Sequence, residues 1–455
     1  MWACAHRTIR WVSAKRDRPA EGDPPGLDAA PFQGLRFARQ HVGAVTSPPY
    51  DVVERRAVPA LEALDPHNVI RLTRPRGGAG RYAAAAQELA GWRRSGVLAR
   101  DARPAYYVLT QSGAAGSLVG LLAAVAVPRH APELGAGGYS SGVLPHEEVM
   151  PGPVRDRAAL MRRARAQFEP ILLQLEPSSD GAVAAVLRDP GGDPVVEAWA
   201  PDGSRQSIHR VEDPDSLAAI GRDLAGRRAL LADGHHRWEA YQRVARSLRH
   251  TEGPGPWDRG LALLVEPAVQ PLSLGPIHRA VSGLGFDDAV QRLRGCARVV
   301  ETSWAAVADD AAWAATVATA RWPEPLSVLA VADARSRQAV LVDGWDAAVR
   351  SAPPADRPAS WRALAVSLLH HGVLGACWPV GVRAVGYHHT VADTHAAARG
   401  GHGVAVLLPA APAELVVRLA HEGVRMPRKS TSFGPKPRSG LVMRAFDAEA
   451  LPPRP

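Results

Sequence analysis

Arg227 to Leu248 reads RRALLADGHHRWEAYQRVARSL, and the fold turns on the change of period inside it. Leu230, Leu231 and Ala232 make an apolar run bounded by a turn signal, which reads as the end of a buried strand. Asp233-Gly234 breaks the run, because glycine accepts backbone angles that other residues resist. Trp238, Tyr241, Ala245 and Leu248 then recur every three or four positions, so a helix follows with one apolar face. The pattern predicts strand, turn and helix, with His235, His236 and Arg237 at the helix N-terminus. Unsatisfied N–H groups and the helix dipole favour an anion there. Gly234 permits close backbone approach, and an arginine can hold two phosphate oxygens at once. Asp233, Gly234, His235, His236 and Arg237 are therefore phosphate-binding candidates. The plainer reading makes Asp233 a helix cap and the histidines ordinary polar neighbours.

Upstream, VRDRAALMRRARAQFE (154–169) reads as a helix and PILLQLE (170–176) as a strand. AYYVLTQ and LVGLLAAVAV, joined by SGAAGS, read as a hairpin. Residues 81–99 predict an amphipathic helix ended by Gly96. VGAVTSPPYDVVERRA (42–57) reads as a short strand running into a Ser47–Asp51 turn, where two prolines fix an extended path. Residues 176–214 read as irregular structure with short strands. Downstream, helices are expected at about 283–300 and 305–322, a buried strand at LSVLAVAD and a helix at APAELVVRLAHEG. No repeat of fixed period occurs. Helices and strands alternate without a regular βαβ rhythm, so the expected class is α+β, or an irregular α/β fold, around a mixed sheet.

A chain of 455 residues overstretches one core, so two domains are expected. The Glu252–Pro256 run of glycine and proline suggests a division into 29–255 and 256–455. Residues 1–28 read as a disordered basic tail. The formal net charge is +9, which would ordinarily suggest nucleic acid. The excess sits in the first twenty and last thirty-five residues, however, and the body between is close to neutral. That distribution argues against a nucleic-acid face. Only Lys15, Lys429 and Lys436 are lysines; every other basic residue is arginine. Cys4, Cys296 and Cys377 are few and far apart in sequence, which offers no disulfide framework and fits a reducing cytoplasm. Charges interrupt any apolar run near the start, and no stretch approaches the roughly 20 apolar residues of a membrane helix. A cytoplasmic protein is expected, with no membrane partner.

Two further motifs carry chemistry. MPRKSTSFGPK (426–436) holds two of the three lysines. A lysine kept where arginine is the rule points to a need for a compact ammonium. Lys429, Ser430, Thr431 and Lys436 are accordingly candidates around an anion, against the reading of a solvated basic tail. His146-Glu147 follows Pro145 in a glycine-rich loop, where a carboxylate can serve as general base to a substrate hydroxyl. Tyr50, Asp51, Asn68 and Arg71 are weaker, loop-placed substrate-binding candidates. The adjacent histidine pairs at 235, 370 and 388 point apart on regular structure, and no HExxH spacing occurs, so no metal site is assigned. Neither GxxxxGK[ST], GxGxxG nor GxSxG is present.

PFQGLRF, SPPYDVV, HNVIRL, LPHEEV, ADGHHRWEA, PIHRAV, VGYHH and MPRKSTSFGPKPRSGLVMR stand in this order. With them the chain is identified as a member of the domain of unknown function 1015 family, from about Pro31 to Arg444. ADGHHR is also similar to the phosphate-binding element of free-serine kinases in the ParB/sulfiredoxin-like superfamily. This second resemblance implies transfer of a phosphoryl group to the hydroxyl of L-serine, from ATP, ADP or pyrophosphate, with Mg²⁺. It implies that Asp233, Gly234, His235, His236 and Arg237 hold the transferring phosphate. Glu147, with His146, is then the candidate base, and Lys429, Ser430, Thr431 and Lys436 neutralise the donor. The alternative is a ParB-like nucleotide-binding regulator without kinase activity. Two places depart from the family pattern: Val149 stands for a threonine, and Val154 for a lysine.

Overall fold

The structure is a computed structural model that describes residues 26–38, 42–114, 116–128, 142–319 and 326–447. Most of the expected tail and of the glycine-rich loop before Gly142 lie outside the described residues. The chain divides into two compact units. Of the described residues, one takes in those from 26 to 273, 417–423 and 433–447; the other takes in those of Leu274–Val416 and Val424–Ser432.

The first unit is organised by a nine-stranded mixed sheet. Its elements in chain order are β1 (Ala29–Ala30), α1 (Arg81–Arg94), β2 (Tyr106–Gly113), β3 (Gly116–Ala126), β4 (Val143–Pro145), α2 (Pro151–Ala164), β5 (Ile171–Leu175), β6 (Val196–Trp199), β7 (Arg205–Val211), β8 (Ala229–Asp233), α3 (His235–Glu252) and β9 (Arg259–Val265). The strand order is β4-β8-β5-β9-β3-β2-β7-β6, with β1 added beside β3. β4 runs parallel to β8, and β9 parallel to β5; the other pairs are antiparallel. The mixed sheet matches the expected class. β2 and β3 form the expected hairpin.

The apolar face read from the 227–248 stretch is the face that packs. Trp238, Tyr241, Ala245 and Leu248 are buried with Leu231, Leu173 and Leu264 in one core. Burying each of the larger side chains contributes about 1.5–3 kcal/mol, so α3 is held on the sheet by its stripe and not by helix propensity.

Three local expectations are corrected. VGAVT is not a strand but a 3-10 turn at Gly43–Val45, and with Pro48 and Pro49 next the pairing is confined to the single Ser47–Ser439 bridge. Residues 176–214 include a helix, Ala182–Arg188. Gly253, at φ +81, ends α3, and Pro256–Asp258 turns directly into β9 of the same sheet. The chain passes from one unit to the other at Ser273–Leu274.

The second unit carries a six-stranded, wholly antiparallel sheet. Its elements are β10 (His278–Val281), α4 (Phe286–Arg294), β11 (Arg298–Thr302), α5 (Asp310–Thr319), β12 (Leu329–Asp333), β13 (Gln338–Asp343), β14 (Val385–His388), α6 (Val391–Gly400) and β15 (Val404–Leu407). The order is β11-β13-β12-β15-β10-β14. The helix expected over 283–300 stops at Arg294, and Arg298 already starts an edge strand. Trp313, Val391 and Leu407 anchor this unit's own core. Among the described residues no helix is long and apolar enough to cross a membrane.

Candidate active site

The site forms where strand ends gather. Val143, Leu144 and Pro145 of β4 pair in parallel with Ala229, Leu230 and Leu231 of β8. His146-Glu147 and Asp233-Gly234 therefore leave the sheet at one edge. β5 runs the other way, so the residues before it, Glu169-Pro170, reach that edge too. β8 carries a register shift: Leu231 opposes Leu173, but Asp233 opposes Leu172. The extra residue, Ala232, bends the strand and re-aims Asp233. Gly234 follows with φ +90, where a Cβ would stand 3.0 Å from Ile171 Cγ2 and 3.1 Å from Arg237 Nε. The turn requires glycine on both counts.

Two helices begin at the same edge. The N–H of Met150, just before α2, donates to His236 Nε2 at 3.0 Å. Arg165, just after α2, pairs with Glu252 at the end of α3 at 2.8 Å. α2 and α3 thus lie side by side and parallel, with both N-termini at the strand ends. Their dipoles add, and the field there favours an anion.

A chain of charges crosses this edge. Lys436 Nζ lies 2.6 Å from Asp233 Oδ1 and 3.6 Å from Asp51 Oδ2. Arg237 Nη2 donates to Asp233 Oδ2 at 2.6 Å, and its Nη1 donates to the Pro170 carbonyl. Burial opposes the charge on Lys436, but Asp233 and then Asp51 outweigh it and push its pKa above the usual lysine range. Burial likewise opposes Arg237, and Asp233, Glu169 and Asp51 hold it charged. Arg237 is only 3% exposed, and its guanidinium faces into the protein. Against the expectation that it grips phosphate, its bonds run inward: one turn after Asp233, it fixes that carboxylate and the residue before β5.

The histidines gather at the same edge. His235 and His146 pack edge to face at 4.5 Å, and Phe433 lies against His146 at 5.4 Å. Burial pushes His146 down to about 4, against a hydrogen bond to the Leu231 backbone and the charge of Asp233. His146 is therefore neutral near pH 7. His236 accepts at Nε2, which puts the proton of its neutral ring on Nδ1. Glu147 is 6% exposed, directly beyond His146.

Glu169 is a site residue that sequence reading missed. Its Oε1 accepts from the Tyr50 N–H at 2.8 Å and from Ser439 Oγ at 2.7 Å. It thereby ties the Ser47–Asp51 turn to the segment after Lys436. A Glu-Pro pair between a helix and a strand is the available signal, and it is weak without the fold. The Tyr50 ring lies under the Arg157 guanidinium at 4.1 Å; burial and Asp51 raise its phenol pKa and keep it protonated.

Other candidates are placed elsewhere. Both amide hydrogens of Asn68 go to the Ala44 and Thr46 carbonyls, and its oxygen accepts from the Ile70 N–H. Asn68 thereby clamps the turn. Arg71 reaches the Glu62 carbonyl and lies 4.0 Å from Glu88. Lys429, Ser430 and Thr431 belong to the second unit. There the Lys429 carbonyl, at φ +58, accepts from Arg279 Nη2 at 2.8 Å. Arg279 also donates to His370 Nε2 at 3.0 Å and lies over the Tyr387 ring. Ser430 Oγ donates to the Pro427 carbonyl. The MPRKST, PIHRAV and VGYHH stretches therefore meet around one buried arginine. Among the described residues no group of three or more His, Cys, Asp or Glu side chains could hold a metal ion.

The chain belongs to the family described as Protein of unknown function (DUF1015), whose model matches residues 29–363. No curated protein matches it. Among solved structures it is similar to a free serine kinase in complex with AMP, at 14% identity over 64% of this chain and 84% of that one, TM-score 0.34. It is similar also to a conserved hypothetical protein from Pyrococcus furiosus, at 14% identity over 64% and 87%, TM-score 0.33. A third is SbnI with a C-terminal truncation from Staphylococcus aureus, at 11% identity over 67% and 84%, TM-score 0.32.

Proposed function

Starting from membership of a family without an assigned activity, we propose that this chain is a small-molecule kinase that phosphorylates a free hydroxyl, with L-serine the first substrate to test. One observation carries the reading: the parallel pairing of β4 with β8 brings Glu147 and the Asp233-Gly234 turn to the N-termini of α2 and α3. Glu147 takes the hydroxyl proton as the oxygen attacks the terminal phosphorus of ATP, ADP or pyrophosphate. The leaving phosphate or nucleotide keeps the electron pair of the broken P–O bond. Lys436 and the N–H groups at the start of α3 meet the charge that spreads over the phosphoryl oxygens, with α2, whose first turn holds Pro151 and Pro153, adding its dipole. Both oxygens of Asp233 are already committed to cations, so the residues present do not form a cage for Mg²⁺. Mg²⁺ would enter bound to the donor's phosphates.

The test is incubation with serine, Mg²⁺ and each donor in turn, with phosphoserine read by mass spectrometry. Glu147→Gln should lower the rate by about 10²–10⁴-fold while leaving pyrophosphate binding intact. No phosphoserine from any donor, with folded protein, would overturn the proposal. The second reading, a nucleotide-binding regulator, is favoured by the inward turn of Arg237 and by Val149 and Val154. Tight nucleotide binding without turnover would move the assignment there.

A further inference from the structure

Cys296 and Cys377 are 81 positions apart in the chain, yet their sulfurs lie 3.2 Å from each other. The expectation drawn from their distance in sequence is thereby corrected. Both sit in the second unit, and the backbone around each is held. Cys296 follows α4; its N–H donates to the Leu293 carbonyl at 2.9 Å, and its carbonyl accepts from the Asp346 N–H at 2.8 Å. The Cys377 N–H donates to the Val373 carbonyl at 2.9 Å. The next residue, Trp378, is fully buried and donates Nε1–H to the Ala289 carbonyl of α4 at 3.1 Å. The segment that carries Cys377 is thus tied to α4, the helix that Cys296 follows. Nearby, Gly372 packs so closely on Val349 that a Cβ would stand 2.7 Å from Val349 Cγ1. Both cysteines are partly exposed, within reach of a small reagent.

We infer that Cys296 and Cys377 are a dithiol site that closes to an internal disulfide on reaction with a small-molecule disulfide such as oxidised glutathione. One protein thiolate attacks the small disulfide, forms a mixed disulfide and releases one thiol. The second protein thiol attacks that mixed disulfide, forms the Cys296–Cys377 bond and releases the other thiol. The two electrons and two protons lost by the protein appear on the two small thiols. The sulfurs must close from contact to the bonding distance of about 2.05 Å, a side-chain movement. Burial, and then the hydrogen bond to Cys377, push the Cys296 thiol up to about 12. It is a poor first nucleophile, so the first exchange is slow and the closing step is the local one. Closure seals the loop from 296 to 377, which includes the single wide helical turn Leu369–Val373 that carries His370. The site is separate from the proposed phosphotransfer and does not depend on it.

The test uses the full chain, incubated with oxidised glutathione or with dithiothreitol, then alkylated with N-ethylmaleimide in denaturant and digested. The expected product is one linked peptide pair containing Cys296 and Cys377, two hydrogens lighter than the reduced pair, with Cys4 scored on its own peptide. The oxidised form should unfold about 10 °C higher, because a long loop is closed. Cys377→Ser should abolish the link and the shift together. Full alkylation of both residues after oxidation would overturn the inference. So would a persistent glutathione adduct, or a bond to Cys4 or to a second chain.

Discussion

Replacing Lys436 by methionine keeps most of its length and removes its charge. At an effective dielectric of 20, its attractions across 2.6 Å to Asp233 and 3.6 Å to Asp51 come to about 6 and 5 kcal/mol. Taking the ammonium out of water offsets much of that sum. Breaking such a pair from one side typically costs about 3–5 kcal/mol, because a buried carboxylate loses its partner. Asp233 keeps Arg237, and Asp51 is partly exposed, so the lower end applies, about 3 kcal/mol. Urea denaturation followed by tryptophan fluorescence measures it. Adding Asp233→Asn to Lys436→Met should recover more than about 1 kcal/mol, since the orphaned charge is then gone. Affinity for pyrophosphate should fall ten- to a hundredfold, as expected for one charge-assisted hydrogen bond of about 1.5–3 kcal/mol. A stability loss under about 1 kcal/mol with an additive double variant would refute the buried pair. A full stability loss with unchanged pyrophosphate affinity would refute Lys436 as a phosphate ligand.

Arg237→Ala should cost about 3–5 kcal/mol in the same denaturation assay, because the Pro170 carbonyl and one side of Asp233 lose their partner; unchanged stability with lost phosphate binding would restore it as a direct ligand. Gly234→Ala should cost about 1–3 kcal/mol, from φ +90 and the contacts at 3.0 and 3.1 Å, and a neutral result would mean the turn relaxes. His146, held at about 4, binds no proton between pH 6.5 and 4 where the unfolded chain does, so stability falls as pH drops through that window. The loss comes to about 3 kcal/mol at the bottom of the window, and His146→Gln should flatten the pH dependence by that amount. His278 and His370 are also pushed down by burial, so a comparison with wild type is what isolates His146.

What was legible in the sequence was what local period decides. The 227–248 stretch folds as read: β8 ends at Asp233, and α3 starts at His235 with its apolar stripe buried. What was not legible depends on side-chain direction and on partners distant in the chain. Nothing near Arg237 says that its guanidinium turns inward, since the Pro170 carbonyl that receives it is set by the antiparallel pairing of β5 with β8. Asn68 resembled a ligand residue because clamps and ligands use the same amide. Cys296 and Cys377 looked unrelated because the segments that bring them together have no common pattern. Composition alone singled out Lys436, which the structure places against Asp233 and Asp51, and its partner Asp233 could not be paired with it from sequence.

The rarity of lysine now has a physical explanation at one position. Asp51, Asp233 and Glu169 face Lys436, Arg237 and Arg157, so these side chains come close to cancelling, and Glu147 at the same edge leaves no positive excess. A phosphate entering a site of balanced charge gains little from net attraction. Its stabilisation has to come from donors aimed at it, and the first N–H groups of α3 are fixed ones. An arginine at 436 would spread its charge over a planar fork that matches a carboxylate edge, locking it onto Asp233 as Arg237 already is. An ammonium has three donors on one point. Asp233 takes one at 2.6 Å, Asp51 stands off at 3.6 Å, and the group is 14% exposed. Lys436 can hold the turn and still present a donor outward, which Arg237, 3% exposed, cannot.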